Sequence, residues 1–473
     1  MKTYSMFIGG RAVDAGATFA VVNPALGEPF ARVQDAQVQH VDAAVAAARA
    51  AFPAWSATPD AERQALLHAL GAALEAHTPE LMELVTRETG KPLAGLDNVG
   101  AGMELGGAIA WTHVTADLAL APEVLQDDAT ARVEVHRKPL GVVASITPWN
   151  WPLMIAIWHV IPALRTGNTV VLKPSEYTPV ATSRFVELAN AILPPGVLNL
   201  VTGAGAIGAA LAGHADVDKI VFTGSTRTGK RIMEGAAATL KRLTLELGGN
   251  DAGIVLPGAD VAALAPRLFG AAFHNNGQTC ACLKRLYVHD SQYDAMCAAL
   301  ARLAIDVRVG DGMDPQTQLG PVQNRAQRDI VQALADDARA CGGQVLAGGR
   351  ARPGPGYFFE PTIVAGLSNG ARRVDEEQFG PILPVIRYAD VDDAVRLAND
   401  NPNGLGGSVW GDPALAVAVG RRLECGTVWI NEHGAVQPDA PFGGIKQSGI
   451  GVEFGRHGLA EFTSIQTVKI MKA

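Results

Sequence analysis

The middle of the chain repeats one kind of segment, a short β-branched run that stops at or beside Gly or Pro: GVVASIT (141–147), NTVVLKP (168–174), VLNLVTG (197–203), KIVFTG (219–224), LTLELG (243–248) and AGIVLP (252–257). Helix-like segments separate these runs, and a second alternation extends from 284–288 to 426–431. Apolar strands alternating with helices predict an α/β fold whose parallel sheets are covered on both faces. Ligands of such sheets bind beyond the carboxyl ends of the strands, where Gly-rich turns leave room.

The first third of the chain is predicted to be mostly helical. Thr58-Pro59 has the pattern of an N-cap followed by proline at the first helical position, and apolar residues then recur at helical spacing until Thr78-Pro79. A similar Ala-rich pattern covers 41–52. The segment 139–164 has no charged residue and is long enough to cross a bilayer, but it contains Pro148, Asn150, Pro152 and His159. We therefore expect a core strand that runs into a buried, irregular turn.

Composition limits the class of protein. A length of 473 residues allows about three domains, and 18% charged against 48% hydrophobic residues is a globular balance. With 39 Lys+Arg and 47 Asp+Glu, the net charge of -8 offers no footprint for nucleic acid or an anionic membrane, so a small-molecule partner is favoured. The N-terminus lacks a signal-peptide apolar region, and five cysteines make a poor disulfide framework, which together predict a cytoplasmic protein. These cysteines are Cys280, Cys282, Cys297, Cys341 and Cys425.

Two glycine patterns could bind phosphate. GAGAIG at 203–208 fits G-x-G-x-x-G, although a tight turn that opens a helix explains it equally well. GSTRTGK at 224–230 lies between a strand and a helix expected to begin near Arg231, so its N–H groups and the helix dipole would face an anion. It lacks only the Ser/Thr of a P-loop, because Arg231 stands there, and a nucleotide hydrolase is therefore the rival hypothesis.

Three residues could carry covalent chemistry. Cys280 follows a polar, Gly-containing loop between an apolar helix-like segment and the strand at 285–288, a setting typical of an exposed nucleophile. Glu246 lies between leucines at a strand end, where burial would raise its pKa toward that of a useful base; a strand-end salt bridge is the alternative. The Asn150 amide could stabilise an oxyanion, or the pentapeptide PWNWP could be a structural turn. Motifs for a zinc site or a serine hydrolase are absent from the sequence.

Ten motifs in one order resemble those of the NAD(P)-dependent aldehyde dehydrogenase superfamily, of the hydrolytic, non-CoA-acylating type: FIGG (7–10), NPALGE (23–28), ETGKP (88–92), PWNWPL (148–153), KPSE (173–176), FTGST (222–226), LELGG (245–249), NGQTC (276–280), EQFGP (377–381) and PFGGIKQSG (441–449). The resemblance covers nearly the whole chain, whereas a P-loop explains one motif. It implies that the Cys280 thiolate adds to an aldehyde, with the oxyanion held by the Asn150 amide and the Cys280 N–H. Glu246 would activate water to hydrolyse the thioester, and no metal is required.

The same resemblance implies a cofactor site. Lys173 and Glu176 would hold the adenosine ribose, Ser225 the pyrophosphate, and Glu377 and Phe379 the nicotinamide riboside. A carboxylate at Glu176 favours NAD, with NADP possible because Lys173 is near. The full set of expected cofactor-binding residues is Trp149, Lys173, Glu176, Gly224, Ser225, Gly229, Gln327, Glu377 and Phe379.

The resemblance also implies a substrate pocket, which we expect to consist of Trp151, Met154, Trp158 and Thr279. An apolar, partly aromatic wall favours an uncharged aliphatic or aromatic aldehyde. A semialdehyde dehydrogenase, a CoA-acylating aldehyde dehydrogenase and a non-catalytic NAD-binding protein remain alternatives.

The resemblance also implies a division of the chain. We expect 1–119 and 139–248 to form an NAD-binding domain of Rossmann type, and 249–445 to form an α/β catalytic domain. A strand flap at 120–138, with the tail 446–473, is expected to pair subunits into a homodimer or homotetramer.

Overall fold

The computed structural model describes residues 1–472. Its first sheet has eight strands, and the central five are parallel. Antiparallel strands close both edges. In spatial order the strands are Gly449–Ile450, Arg242–Glu246, Lys219–Thr223, Val142–Ile146, Thr169–Lys173, Leu198–Leu200, Met6–Ile8 and Arg11–Val13.

Helices cover both faces of this sheet because its strands are apolar on both faces. Val143 packs into one cluster with residues of helices on one face, and its neighbour Val142 packs into a second cluster on the other. The helices of the first face are Asp60–Ala76, Thr78–Thr89, Ala101–Asp117, Pro152–Arg165 and Val180–Asn190. Those of the second face are Val38–Ala57, Gly205–Gly213 and Thr226–Ala236.

The second sheet has seven strands, six of them parallel, and an antiparallel strand at one edge. In spatial order they are Gln344–Ala347, Thr362–Ala365, Ile382–Tyr388, Arg285–His289, Ala252–Val255, Gly406–Trp410 and Thr427–Ile430. The helices in this half of the chain are Val261–Phe273, Asp290–Asp306, Arg325–Ala340, Arg372–Asp375, Val391–Asn399, Pro413–Gly420 and Gly455–Ala460.

A three-stranded sheet, which we call the flap sheet, combines Glu123–Asp127 and Ala131–Pro139 with the distant strand Thr463–Met471. The predicted tail is shared between sheets, since Gly449–Ile450 pairs with the strand that ends at Glu246. Ala473, its last residue, lies outside the described residues. The remaining strands and short helical turns are Lys2–Tyr4, Thr18–Asn23, Glu28–Gln34, Asn403–Gly404, Ile445–Lys446, Leu96–Asn98, Ala237–Thr239 and His274–Gly277.

The six predicted strand runs are all strands, and the α/β class is confirmed. Two helix starts were predicted wrongly. Thr58 caps the carboxyl end of the preceding helix, and its Oγ1 donates to the Ala54 carbonyl, so the next helix begins at Asp60. The helix expected near Arg231 begins at Thr226. As expected, 139–164 is a core strand, a turn and then a buried helix, and no helix within residues 1–472 is long and apolar enough to span a bilayer.

Candidate active site

A cavity of about 260 Å³ lies beyond the carboxyl ends of three parallel strands of the first sheet. Its other walls come from the loop before Arg285–His289, from helix Arg325–Ala340 and from residues 377–379. The cavity brings together eight of the predicted catalytic and cofactor residues: Trp149, Asn150, Gly224, Ser225, Cys280, Gln327, Glu377 and Phe379. Parallel topology explains this placement, because all three strands end at the same edge.

The loop that carries Cys280 follows helix Val261–Phe273 and has an unusual backbone. Asn275, Asn276 and Gly277 all have positive φ, at 49°, 57° and 71°. The chain then turns, with the Cys282 N–H donating to the Thr279 carbonyl at 3.3 Å. Burial raises the pKa of the Cys280 thiol to about 12, and the nearby carboxylates add to this while Lys284 opposes it. The thiol is therefore neutral in this state and needs further activation to become a nucleophile.

Asn150 is held from both sides. Its peptide carbonyl accepts hydrogen bonds from Lys91 Nζ and Asn275 Nδ2, each at 3.0 Å. Its side-chain amide donates to the Gln278 carbonyl at 3.0 Å, which aims the amide at the loop that carries Cys280. The amide has a second N–H, so this geometry lets it also donate to an oxyanion formed beside Cys280.

Glu246 ends the strand Arg242–Glu246 with a buried carboxylate. Neither carboxylate oxygen has a hydrogen-bond partner within the described residues, so the strand-end salt bridge considered above is not formed there. Burial raises the pKa of Glu246 well above its usual value, and the negative charge of Glu453 raises it further. An unpaired carboxyl group with a raised pKa is suited to accept a proton from water.

Of the four predicted substrate-pocket residues, Trp151 and Met154 lie at the start of helix Pro152–Arg165, Trp158 lies in its middle, and Thr279 directly precedes Cys280. Trp151 and Met154 are buried in one cluster against Trp158. The indole N–H of Trp151 donates to Thr279 Oγ1 at 3.0 Å, which joins this cluster to the residue before Cys280.

Trp158 also belongs to an aromatic group that sequence reasoning missed. Its ring lies 4.7 Å from that of Phe454 and 5.6 Å from that of Trp111, and Phe442 stacks on Phe454. Cys280 packs against the same apolar cluster. These rings come from three distant parts of the chain, so no local pattern could have grouped them.

The residues predicted to hold the pyrophosphate lie at the start of helix Thr226–Ala236 and within it. Ser225 is the N-cap of helix Thr226–Ala236, and its hydroxyl accepts from the Thr228 N–H at 3.3 Å. A helix amino terminus beside the cavity offers unpaired N–H groups and a positive dipole end to a phosphate. Gly229 lies inside the helix, where its N–H donates to the Ser225 carbonyl, and an added Cβ would come 2.6 Å from Leu247. The Gly229 amide is therefore bonded within the helix, where the glycine allows close packing on Leu247, and its contact with the cofactor stays a prediction.

The remaining cofactor candidates fall into two groups. Trp149 and Phe379 meet edge to face at 5.2 Å, and Gln327 Nε2 supports Phe379 by donating to the carbonyls of residues 378 and 379. Lys173 and Glu176 form an ion pair at 3.7 Å outside the cavity described above, and Glu176 lines a separate cavity of about 340 Å³. The aromatic pair Trp149 and Phe379, with the Glu377 carboxylate, could hold the nicotinamide riboside of a dinucleotide. The amino terminus of helix Thr226–Ala236 could hold its pyrophosphate.

Three charged residues of the site were missed. The buried pair of Lys91 and Glu104 holds the Asn150 carbonyl and the start of helix Pro152–Arg165. Lys284 Nζ donates to the Cys280 carbonyl at 2.6 Å and to Glu377. Lys91 lies within the quoted motif ETGKP, and Lys284 lies four residues after the nucleophile, so their positions were visible although their partners were not.

Comparison with known proteins gives a consistent result over the full length. A family model described as the aldehyde dehydrogenase family matches residues 12–468. Phenylacetaldehyde dehydrogenase of Pseudomonas fluorescens is 39% identical over 483 residues, which cover 99% of this chain and 96% of that protein.

Solved structures agree with this match. PnpE from Pseudomonas sp. WBC-3, in complex with nicotinamide adenine dinucleotide, is 41% identical with a TM-score of 0.95, covering 99% of this chain and 97% of that one. The NAD+ complex of an aldehyde dehydrogenase from Bacillus cereus is 35% identical with a TM-score of 0.96, covering 99% and 96%.

Proposed function

The chain belongs to the aldehyde dehydrogenase family, and on that premise we propose a hydrolytic mechanism in which Cys280 is the nucleophile. The chain is an oxidoreductase that converts an aldehyde to the carboxylic acid with NAD. The observation that supports the proposed roles is that Cys280 and Asn150 line one cavity, and that Glu246, whose carboxyl group has no hydrogen-bond partner within the described residues, directly precedes the cavity-lining Leu247.

Cys280 begins the reaction. Its thiolate adds to the aldehyde carbon and forms a thiohemiacetal, while the Asn150 amide and the Cys280 N–H donate to the oxyanion. The contacts of Lys91 and Asn275 with the Asn150 carbonyl hold that amide in place before the substrate arrives. When bound, NAD supplies the hydride acceptor whose use leaves a thioester on Cys280.

Glu246 completes the reaction. Its carboxylate removes a proton from water, the water oxygen attacks the thioester carbonyl, and the acid leaves as the Cys280 thiol is restored. A buried carboxylate that no donor among residues 1–472 contacts keeps its lone pairs available for this proton.

The cofactor site supports NAD more than NADP. Ser225 and the amino end of helix Thr226–Ala236 would hold the pyrophosphate, and Glu377 with Phe379 would seat the nicotinamide riboside. Glu176 would accept from ribose hydroxyls and repel a 2'-phosphate, although Lys173 at 3.7 Å weakens this preference.

The proposed substrate is an uncharged aromatic or aliphatic aldehyde. The rings of Trp111, Trp158, Phe442 and Phe454 form an apolar wall on the cluster against which Cys280 packs. The similarity to a phenylacetaldehyde dehydrogenase supports the aromatic choice.

The proposed assembly is a homodimer or homotetramer formed through the flap sheet. Val124, Leu125, Ile465, Ile470 and Met471 are all exposed on that sheet, and exposed apolar side chains in one place favour a protein partner. The domain division stated from the sequence is supported by the separate sheets, and the cytoplasmic location stays a prediction.

Turnover tests the reaction. We expect NADH formation with aldehydes, with kcat/KM highest for aromatic aldehydes, lower for aliphatic ones and lowest for carboxylate-bearing semialdehydes. Cys280→Ala should abolish NADH formation while NAD binding, followed by calorimetry, is retained. Persistent turnover in this variant would contradict the mechanism, and a preference for semialdehydes would contradict the substrate class.

Trapping tests the role of Glu246. Glu246→Gln should release NADH once per active site and retain an acyl group on Cys280, detected by intact-protein mass spectrometry. Acyl-CoA formed only after CoA is added would indicate the acylating alternative. Absence of both NADH and acyl-enzyme in the wild type would indicate a non-catalytic NAD-binding protein.

A further inference from the structure

Lys284 has a fully buried side chain that contacts two residues lining the candidate active site, Cys280 and Glu377. Its ammonium donates to three acceptors, which are the carbonyls of Gly249 at 2.9 Å and Cys280 at 2.6 Å and the Glu377 carboxylate at 2.5 Å. These acceptors come from the loop after Glu246, the nucleophile loop and the 377–379 segment. One side chain therefore bonds to three parts of the site, in addition to the hydrogen bond from the Gly249 N–H to Glu377 at 3.3 Å.

The charge of Lys284 is maintained by its surroundings. Burial alone would lower the pKa of a lysine, but the carboxylates of Glu377 and Asp251 outweigh burial and raise the pKa of Lys284. Cys282 also raises the pKa of Lys284, and Arg373 donates to the Lys284 carbonyl at 3.2 Å. Lys284 therefore remains protonated, with all three of its N–H groups occupied.

Lys284 also contacts the proposed nicotinamide seat. Glu377 is its ion-pair partner, and the Phe379 ring centroid lies 5.5 Å from Nζ. Phe379 in turn packs edge to face on Trp149. A change in Glu377 on cofactor binding therefore reaches Lys284 directly.

The balance of charge around Cys280 gives Lys284 an effect on the thiol. Glu246, Glu377 and Asp251 all disfavour a thiolate, and burial disfavours it most. Lys284 is the cation that opposes them. While Glu377 is paired with Lys284, part of this positive charge is neutralised.

We propose that Lys284 is a positioning residue that couples the cofactor seat to the nucleophile, fixing the Cys280 loop and supplying the positive charge that favours the Cys280 thiolate. The inference rests on the proposed role of Cys280 as nucleophile. Glu377 acts as the opposing partner, since withdrawing its carboxylate from Lys284 leaves the ammonium free to act on the thiol.

Two substitutions should shift the pKa of the Cys280 thiol in opposite directions. Lys284→Met removes the cation and should make Cys280 harder to ionise. Glu377→Gln removes an anion and leaves the ammonium unpaired, so it should make Cys280 easier to ionise. General damage to the site would not produce shifts of opposite sign.

The measurement is the rate of alkylation of Cys280 by iodoacetamide as a function of pH, without cofactor, quantified on the Cys280 peptide by mass spectrometry. Because the thiolate is the reactive form, a shift of one pH unit changes the rate about tenfold on the acidic side of the profile. We expect at least about tenfold slower alkylation at pH 8 for Lys284→Met and faster alkylation for Glu377→Gln. In the variant that combines Lys284→Met with Glu377→Gln, the increase in alkylation rate caused by Glu377→Gln should be largely lost.

Lys219→Met is the matched control. Lys219 is equally buried, but it lies at the amino end of strand Lys219–Thr223, where its Nζ donates to Thr244 Oγ1. Lys219→Met should leave the pH profile of Cys280 alkylation unchanged. If Lys284→Met does not fold, the shift of the alkylation profile in Glu377→Gln alone tests the proposal.

Unchanged profiles in the Lys284 and Glu377 variants would overturn the inference and leave Lys284 with a purely structural role. Alkylation needs no aldehyde, so absence of NADH formation in the wild type would count against the proposed function and not against this coupling.

Discussion

Gly277 shows how tightly single residues fix this site. Its φ of 71° lies in the left-handed region, and an added Cβ would overlap the carbonyl oxygen of Gly380. The nucleophile loop and the segment after Phe379 therefore touch through backbone atoms at this point. A side chain at this position would separate Cys280 from the cofactor seat.

We expect Gly277→Ala to destabilise the fold by about 3 kcal/mol and to lower kcat, because strain in the left-handed region adds to the clash. Gly258→Ala is the control, since Gly258 has a φ of 80° with nothing within 4 Å of an added Cβ. It should cost only the conformational strain, about 1 kcal/mol. Urea unfolding and steady-state kinetics measure both effects, and equal losses in the two variants would contradict the role of the Gly380 contact.

Glu246 predicts a pH dependence for thioester hydrolysis. Burial and Glu453 raise the pKa of Glu246, so the carboxyl group is protonated below that raised pKa and cannot act as a base. Hydrolysis should therefore fall, as pH decreases, at a pH above the ordinary range for glutamate. Glu453→Gln removes the neighbouring negative charge and should move this fall to lower pH. Rapid-quench measurement of acyl-enzyme decay as a function of pH checks both expectations. A pH profile that Glu453→Gln leaves unchanged would argue against coupling of the two carboxyl groups.

At the same scale, the sequence located Cys280, Glu246 and Asn150 but not the residues that support them. A Gly-containing loop before Cys280 and a carboxylate between leucines are local patterns, and each implies its own chemistry. Lys284 and Glu377 are 93 positions apart, and Lys91 and Glu104 are joined only through the tertiary fold. Contacts of that kind depend on topology, which local patterns do not contain.

Helix Pro152–Arg165 depends on a buried ion pair at its amino end. Glu104 Oε1 accepts from the N–H groups of Leu153 and Met154 at 3.0 and 3.3 Å, and its other oxygen pairs with Lys91. Both side chains are fully buried. The pair therefore caps the helix and, through Lys91, holds the Asn150 carbonyl.

We expect Lys91→Met to cost about 3–5 kcal/mol, because it leaves the Glu104 charge buried without its partner. Lys91→Met with Glu104→Leu should recover part of this stability but not the turnover, since the contact with the Asn150 carbonyl is lost in both. Thermal unfolding and kcat measured on the single and double variants test this separation. Recovery of turnover together with stability would show that the pair acts on folding alone.

Element boundaries were the weaker part of the prediction from sequence. The strands were found because β-branched runs ending at Gly or Pro have few other interpretations. The helix at Thr226 begins five residues earlier than expected, because Ser225 is a good N-cap and Gly229 is tolerated where Leu247 packs closely. From local sequence alone a glycine favours a loop, and only the packing of Gly229 on Leu247 shows that it belongs to a helix.

The flap sheet is the feature that concerns the molecule as a whole. Leu125 and Ile465 are 59% and 61% exposed on it, which is costly for apolar side chains unless another subunit covers them. We expect the pair Leu125→Glu and Ile465→Glu to shift the protein toward monomer in light scattering. Leu240→Glu is the control, because Leu240 is 89% exposed but lies outside the flap sheet, and it should leave the mass unchanged. A monomeric wild type would contradict assembly through this surface.

Strand Thr463–Met471 pairs residue by residue with Ala131–Pro139, from Thr463 opposite Pro139 to Met471 opposite Ala131. Most of the chain separates these partners, so during translation the first strand leaves the ribosome long before the second exists. The edge that later pairs with Thr463–Met471 stays unpaired while the whole second sheet is synthesised, a state prone to wrong pairing. Yield in cells should therefore depend on chaperone supply and elongation rate more than on the stability of the finished protein.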